Sequence, residues 1–117
     1  MQKIISLESG LLRLDNREYA QDLIIVPNRI ICPWRRKKGH LLQLDDCIEI
    51  KDEMLHYRYI VIGCGFQSAM HISKEFFNWM KQNGILYFYG NTADAGEIYN
   101  DAVGRGKDMI AMFHLTC

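Results

Sequence analysis

Several residues that could take part in chemistry stand where apolar stretches of this 117-residue sequence end. Backbone amides of a glycine-rich turn can hold an anion, and a nearby histidine can donate or accept a proton. The sequence therefore predicts a candidate pocket for a small anionic ligand, with enzymatic activity left open. The residues predicted to line it are Gly63, Gly65, Asn91, His114, Thr116 and Cys117.

A second candidate region is the basic loop 34–40, in which a tryptophan precedes two arginines and two lysines. Tryptophan and arginine are enriched in interface hot spots, so Trp34, Arg35 and Arg36 are predicted to bind an unidentified protein partner. The loop could also stack on bases and neutralise phosphates of single-stranded nucleic acid. That alternative is weaker, because fourteen basic residues balance fourteen acidic ones. A third interpretation has Trp34 closing the core while the charges stay solvated.

The cysteines do not indicate a disulfide scaffold or a zinc ribbon, because the close C-x-x-C pairs are missing. We expect them to be reduced, and we predict no metal and no cofactor. His114, Thr116 and Cys117 could still bind a metal together with Cys64 or His40, although no spacing requires it. The cysteines are Cys32, Cys47, Cys64 and Cys117.

The Gly63-Cys64-Gly65 turn invites two further interpretations, and both are weak. A dinucleotide-binding fingerprint needs a third glycine or alanine and a helix that starts at once. Here Ser68 takes the third position and no helix is expected before Ser73. Cys64 could act as a nucleophile with His71 or His114 as its base, but a small residue packed in a turn is the favoured interpretation. No catalytic residue is assigned.

The elements that must position these residues alternate between strand and helix in the second half of the sequence. Parallel strands joined by right-handed helical crossovers bring their carboxyl ends to one edge of a sheet, where clefts form. Strands are predicted at 59–62, 85–89 and 109–117, and helices at 73–84 and from 91 or 92 to 104.

The first third of the sequence predicts a small β-meander. The runs 11–14 and 17–19 flank Asp15-Asn16, which favours a hairpin, and apolar runs at 23–26 and 29–32 precede Pro33. Segment 44–55 has apolar residues at helical spacing and predicts a helix. The segment from Phe66 to Ile72 is expected to be a loop.

The composition is that of a single globular domain, 1–117, with 49% hydrophobic and 24% charged residues. No apolar run approaches the ~20 residues that cross a bilayer, so no membrane contact is predicted. The first residues lack the long apolar core of a signal peptide. A cytoplasmic location is therefore expected. Oligomeric state is left open, because an exposed edge of the first hairpin could pair with a second copy.

Several motifs resemble one known family. They are Trp34-Arg35 after the β-region, Val61-Ile62-Gly63-Cys64-Gly65 as V-I-G-x-G, Gly84-Ile85, residues 92–100 as T-x-x-A-x-x-x-Y-N, and residues 114–117 as H-x-T-C. By these motifs most of the chain resembles the MTH-nine-three-eight-like family, which includes a vertebrate adipogenesis-associated protein and a mitochondrial assembly factor of respiratory complex I. The sequence departs from the family by Gly96 inside the 92–100 helix, where glycine costs about 1 kcal/mol, and by a more basic loop.

The resemblance implies a three-layer α/β fold with a mixed central sheet, helices packed on it and an added N-terminal β-layer. It implies no established catalytic activity, and the variable middle residue of V-I-G-x-G argues against Cys64 as a nucleophile. The favoured function is a non-enzymatic protein-binding or assembly factor. The alternatives are the small-ligand site near His114 and, less favoured, single-stranded nucleic-acid binding.

Overall fold

The computed structural model describes residues 1–15 and 17–117. Its strands are β1 (Ser6–Glu8), β2 (Leu11–Leu14), β3 (Arg17–Tyr19), β4 (Leu23–Val26), β5 (Arg29–Ile31), β6 (Leu41–Leu42), β7 (Tyr59–Cys64), β8 (His71–Ile72), β9 (Leu86–Gly90) and β10 (Ile110–His114). A 3₁₀ helix (Leu44–Ile50) leads into α1 (Lys51–Tyr57), and α2 (Lys74–Gln82) and α3 (Thr92–Gly104) follow. Asn16 of the predicted hairpin lies outside the described residues, but β2 and β3 on either side pair antiparallel.

The central sheet is mixed and has the strand order β5-β4-β10-β7-β9. Strands β10, β7 and β9 run parallel, whereas β4 pairs antiparallel with both β10 and β5. This confirms the mixed α/β fold. The predicted meander is correct only for the three-stranded sheet β1-β2-β3. All four residues of β4 are buried, and such a strand needs cover on both faces, which the central sheet provides.

Alternate residues of β7 point into two separate cores, and this explains the run of apolar residues at 59–62. Ile60 and Ile62 pack against residues of the 3₁₀ helix, α1 and α2 on one face. Val61 packs on the other face, against α3 and the β1-β2-β3 sheet. The result is the three-layer arrangement that the family resemblance implies. No helix among the described residues has the length and apolar character to cross a membrane.

Two local predictions need correction. Segment 44–55 is not one helix, because Cys47 has non-helical angles (φ −120°, ψ 19°) inside the 3₁₀ helix that precedes α1. The predicted loop 66–72 contains β8, which pairs parallel with β6. Each of these strands has only two residues, too few for an alternating pattern to indicate a strand.

Helix α3 explains two features of the family motif. A Cβ atom on Gly96 would lie 2.6 Å from Leu7 Cδ2, so the glycine lets β1 approach the helix. The Asn100 side chain donates to Ile4 O (2.8 Å) and accepts from Ile4 N (2.7 Å), and the Tyr99 hydroxyl donates to Gln2 O (2.6 Å). The Tyr99-Asn100 pair therefore fixes the N-terminal segment against α3.

Candidate functional site

The turn after β7 is hydrogen-bonded to the C-terminal residues, in a contact here called the clasp. Phe66 N donates to Thr116 O (2.7 Å), and Gln67 N and Ala69 N both donate to Cys117 O (3.0 Å each). Gly65 has φ +99°, and a Cβ atom there would lie 2.2 Å from the carbonyl carbon of Cys117. A glycine is required here, both for the backbone angle and for the close approach.

The amides of this turn are already bonded, which corrects the predicted anion cradle. Thr92 Oγ1 accepts from Gly65 N (2.8 Å) and donates to His114 O (2.6 Å) in a buried position. A Cβ atom on Gly63 would lie 3.0 Å from both Thr92 Oγ1 and the Phe113 ring, so no space remains there. Asn91 instead caps α3, since its side chain accepts from Asp94 N (2.9 Å). The predicted residues gather at one sheet edge, but they pack together.

His114 belongs to a buried polar network at this edge. Its Nδ1 atom lies 2.7 Å from Asp22 Oδ2, which also accepts from Arg36 Nη2 (2.8 Å), while Asp22 Oδ1 accepts from Leu115 N (2.8 Å). Burial opposes ionisation of Asp22, but these hydrogen bonds, led by that from Leu115 N, lower its pKa below the ordinary value. Because the ionised carboxylate only accepts, Nδ1 must carry a proton, and in the neutral tautomer of the imidazole the lone pair is then on Nε2.

Two of the three residues predicted to bind a protein partner have buried side chains. Trp34 is 4% exposed and donates from Nε1 to Asp46 O (3.2 Å). The Arg36 side chain, also 4% exposed, stacks over the Trp34 ring at 4.5 Å and donates to Gly39 O. Stacking and ion pairing draw Arg36 inside, so only Arg35 of the three is exposed.

Three of the residues named for a metal option do meet. His40 Nε2 lies 3.2 Å from Cys117 Sγ, and Cys117 Sγ lies 4.0 Å from His114 Nε2. One candidate ligand atom from each residue lies within 4.8 Å of the other two. Thr116 contributes its carbonyl oxygen to the turn rather than its side chain to this cluster. Cys64 is buried, which raises its pKa to about 11 and disfavours a nucleophilic role.

A second surface lies on the free edge of β9, and the sequence analysis did not identify it. The rings of Phe77, Tyr87 and Tyr89, here called the β9 aromatic surface, pack together with centroid distances of 5.0 to 6.3 Å. Tyr89 is 52% exposed and the neighbouring Leu86 is 67% exposed. A groove of about 300 Å³ beside these rings is also lined by Lys74, Asn78 and Lys81.

A family model for a protein of unknown function (DUF498/DUF598) matches residues 4–114. The chain belongs to this DUF498 family. No curated protein matches the sequence.

Solved structures show the same fold. MT938 is 22% identical, each chain is covered over 100% of its length, and the TM-score is 0.77. An outer membrane protein from Bartonella henselae is 15% identical, with 99% of this chain and 96% of that one covered and a TM-score of 0.82. A Bordetella pertussis protein described as an Mth938-like domain is 10% identical, with 97% and 85% covered and a TM-score of 0.66. The predicted family resemblance is thereby confirmed.

Two parts of the candidate sites in this DUF498 protein were missed from the sequence. Asp22 precedes an ordinary apolar strand, and its partners His114 and Arg36 lie 92 and 14 residues away, so no local pattern indicates it. The β9 aromatic surface does have a local signal, the alternation of Tyr87 and Tyr89, but its exposure depends on the strand order. A cavity of about 400 Å³ lies near β3 to β5, and no predicted site residue is among the described residues that line it.

Proposed function

We propose that this DUF498 protein is a binding domain that holds an extended, acidic segment of a partner protein along the free edge of β9. The observation that carries the proposal is the pair of exposed apolar residues, Leu86 and Tyr89, on a strand at the sheet edge. This role agrees with the protein-binding or assembly function that the sequence analysis favours. The cytoplasmic location is kept as part of the proposal.

The backbone of β9 is oriented to accept another strand. Leu86 N donates to Arg58 O (3.0 Å), so the peptide groups of Leu86 face β7. Because peptide groups alternate along a strand, those of Tyr87 and Tyr89 point away from the sheet. Among the described residues β9 pairs only with β7. Such an edge is a template for strand addition, in which backbone hydrogen bonds supply affinity.

The side chains beside this edge supply specificity for apolar and acidic residues. Grooves of about 320 and 300 Å³ lie on the two sides of Phe77 and Tyr89, and each can receive an apolar side chain. Lys74 and Lys81 flank the second groove and are exposed. Their charges favour a partner segment in which acidic residues alternate with apolar ones.

The same lysines argue against a second copy of this chain as the occupant. Two copies that join antiparallel at β9 would place their α2 helices side by side on one face, because α2 packs on β9. Lys74 and Lys81 would then face the lysines of the other copy. Like charges across an interface are unfavourable, so a different, acidic partner fits better.

Selection from a library of short displayed peptides tests the proposal. We expect enrichment of sequences that alternate acidic and apolar residues. A synthetic peptide with a selected sequence should bind the Leu86→Glu variant at least tenfold more weakly than it binds the native protein. Ile48→Glu is the matched control, since Ile48 is also 67% exposed. It lies in the 3₁₀ helix, whose Glu49 O accepts from Arg29 of β5 (3.4 Å), at the opposite sheet edge. Binding by Ile48→Glu should equal that of the native protein.

Several outcomes would overturn the proposal. The selection could yield no consensus, or Ile48→Glu could weaken binding as much as Leu86→Glu. Loss of binding in Arg35→Glu alone would move the contact to the basic loop. Salt-dependent retention of a single-stranded oligonucleotide that is lost in Tyr89→Ala would indicate nucleic acid instead. A dimer in sedimentation that Leu86→Glu dissociates would make the second copy the occupant.

A further inference from the structure

We propose that His40, His114 and Cys117 bind a zinc ion, at a site independent of the β9 edge. Two imidazoles and a thiolate are ligands that zinc commonly has in proteins. Tetrahedral zinc places its nitrogen and sulfur ligands roughly 3.3 to 3.7 Å apart, given bonds of ~2.0 and ~2.3 Å. The Cys117 sulfur lies 3.2 Å from the nitrogen of His40 and 4.0 Å from that of His114. The first distance is slightly shorter and the second slightly longer than this range, so side-chain rotations would be needed to complete the geometry.

The second coordination sphere is also in place. Histidines that ligate zinc commonly donate their other ring nitrogen to a carboxylate, which fixes the tautomer and the ring orientation. Asp22 provides this carboxylate for His114, with 2.7 Å between Oδ2 and Nδ1. His114 therefore presents Nε2, the atom that faces Cys117 Sγ.

The three ligands are held by separate parts of the fold. His114 ends the buried strand β10. Cys117 is fixed by the two amides that bond its carbonyl oxygen, and the carbonyl oxygen of His40 accepts from His71 N (2.8 Å). Three protein ligands leave a fourth position for water or another ligand, which is the pattern of open rather than closed zinc sites.

The charge of Arg36, which would repel a cation, is offset by its ion pair with Asp22. Its guanidinium lies 3.3 Å from His114 Nδ1, on the side of the ring away from Nε2, and Asp22 pairs with it at 2.8 Å. The remaining negative charge is the thiolate of Cys117, which binds the metal directly.

The alternative use of this cluster, a thiol nucleophile activated by His114, finds no donor for the charge that would develop in the turn after β7. The amides of residues 65–67 point to the protein's own oxygens, so they form no oxyanion hole. The Cys117 thiol also lies nearer to His40 than to the histidine that Asp22 orients. Both observations favour metal binding.

The test uses the untagged full chain, stripped of metal, titrated with zinc chloride in competition with a chromophoric chelator. We expect one zinc ion per chain, and a cobalt(II) complex with a thiolate charge-transfer absorption. His40→Ala and Cys117→Ser should each lower zinc affinity more than the roughly tenfold to hundredfold loss that removal of a second-shell partner causes. Both side chains reach the surface, so these variants should fold even if His114→Ala does not.

His56→Ala and Cys32→Ser are the matched controls, because they remove a histidine and a thiol outside the cluster. Each should keep the native affinity. The proposal fails if zinc does not saturate at one equivalent, if Cys117→Ser binds as tightly as the native chain, or if His56→Ala weakens binding equally. Copper(I) binding without measurable zinc binding would overturn the assignment to zinc.

Discussion

Two regions of this sheet, the carboxyl end of β10 and the edge strand β9, differ in how their polar groups are bonded. At the carboxyl end of β10, the side chains of Arg36 and His114 are buried and Asp22 is half-buried. The Asp22 carboxylate accepts three hydrogen bonds, and Arg36 Nη1 is the one buried side-chain nitrogen or oxygen atom without a hydrogen-bond partner among the described residues. Along β9, peptide groups and apolar side chains face solvent next to a cluster of aromatic rings. The first region is an internal framework that presents a few ligand atoms, and the second is an open template. We therefore expect substitutions of the Asp22, Arg36 and His114 framework to cost stability, and those along β9 to cost binding.

The largest effect is expected at the buried ion pair. Asp22→Ala leaves the Arg36 guanidinium buried without its carboxylate, so the free energy of unfolding should fall by about 3–5 kcal/mol in urea denaturation. Asp45→Ala is the matched control, because its pair with Lys37 is exposed and should contribute less than about 1 kcal/mol. Equal losses in the two variants would contradict the account.

The Asp22 contribution should also depend on pH. Its pKa is lower in the folded protein than the ordinary 3.8, so the stabilisation is complete above that value and is lost as the pH falls through the folded-state pKa. The gap in unfolding free energy between the native protein and Asp22→Asn should therefore narrow only below about pH 4. A gap that narrows near neutral pH would point to another group.

The next largest effect is expected at the clasp between the turn and Cys117. Gly65→Ala should destabilise the protein by about 2–5 kcal/mol, because it adds a 2.2 Å clash to an unfavourable positive φ. Gly106→Ala separates the two causes, since Gly106 has φ +79° and no atom within 4 Å of the added Cβ. That control should lose only about 1–2 kcal/mol.

The rate of alkylation should differ between Cys117, which is exposed, and Cys64, which is buried. In the folded protein at pH 8, iodoacetamide should modify Cys117 first, and Cys64 only after unfolding. The raised pKa of Cys64, about 11, leaves roughly one thiolate in a thousand at that pH, and the side chain is buried. Mass spectrometry of the peptides checks the order. Early modification of Cys64 would show that the clasp opens readily.

The smallest effect on stability is expected along β9. Tyr89→Ala should lower the free energy of unfolding by only about 1 kcal/mol, because the side chain is half exposed although its ring packs against Phe77 and Tyr87. The same variant should weaken binding of the selected peptide about tenfold, as expected for an aromatic contact residue. A large stability loss would mean that the aromatic surface is structural.

The sequence predicts the second half of this fold well, because its signals are local. The strand at 59–62, the cap at Ser73, the cap expected at Asn91 or Thr92 (found at Asn91) and the α3 stripe all depend on neighbours along the chain. The gathering of Gly65 and His114 at one edge also follows from the parallel topology. These features need no knowledge of long-range contacts.

The candidate sites are predicted less well, because they depend on contacts between distant segments. From the sequence, Trp34 is predicted to be an exposed contact residue. In the structure it is buried against the segment around Asp46 and beneath Arg36, whose side chain forms an ion pair with Asp22. Nothing near Asp22 in the sequence indicates that it faces His114. Likewise, no pattern in Tyr87 and Tyr89 tells that β9 is the last strand of the sheet.

One experiment tests the central claim, that the cluster of His40, His114 and Cys117 and the edge strand β9 bind different ligands independently. Zinc chloride and the selected peptide are titrated separately into ¹⁵N-labelled protein while amide chemical shifts are recorded. Zinc should move the signals of residues 39–41 and 114–117 and leave β9 unchanged, and the peptide should move those of β9 and α2 only. Shifts of the same residues by both ligands, or shifts spread over both regions by either one, would contradict the claim.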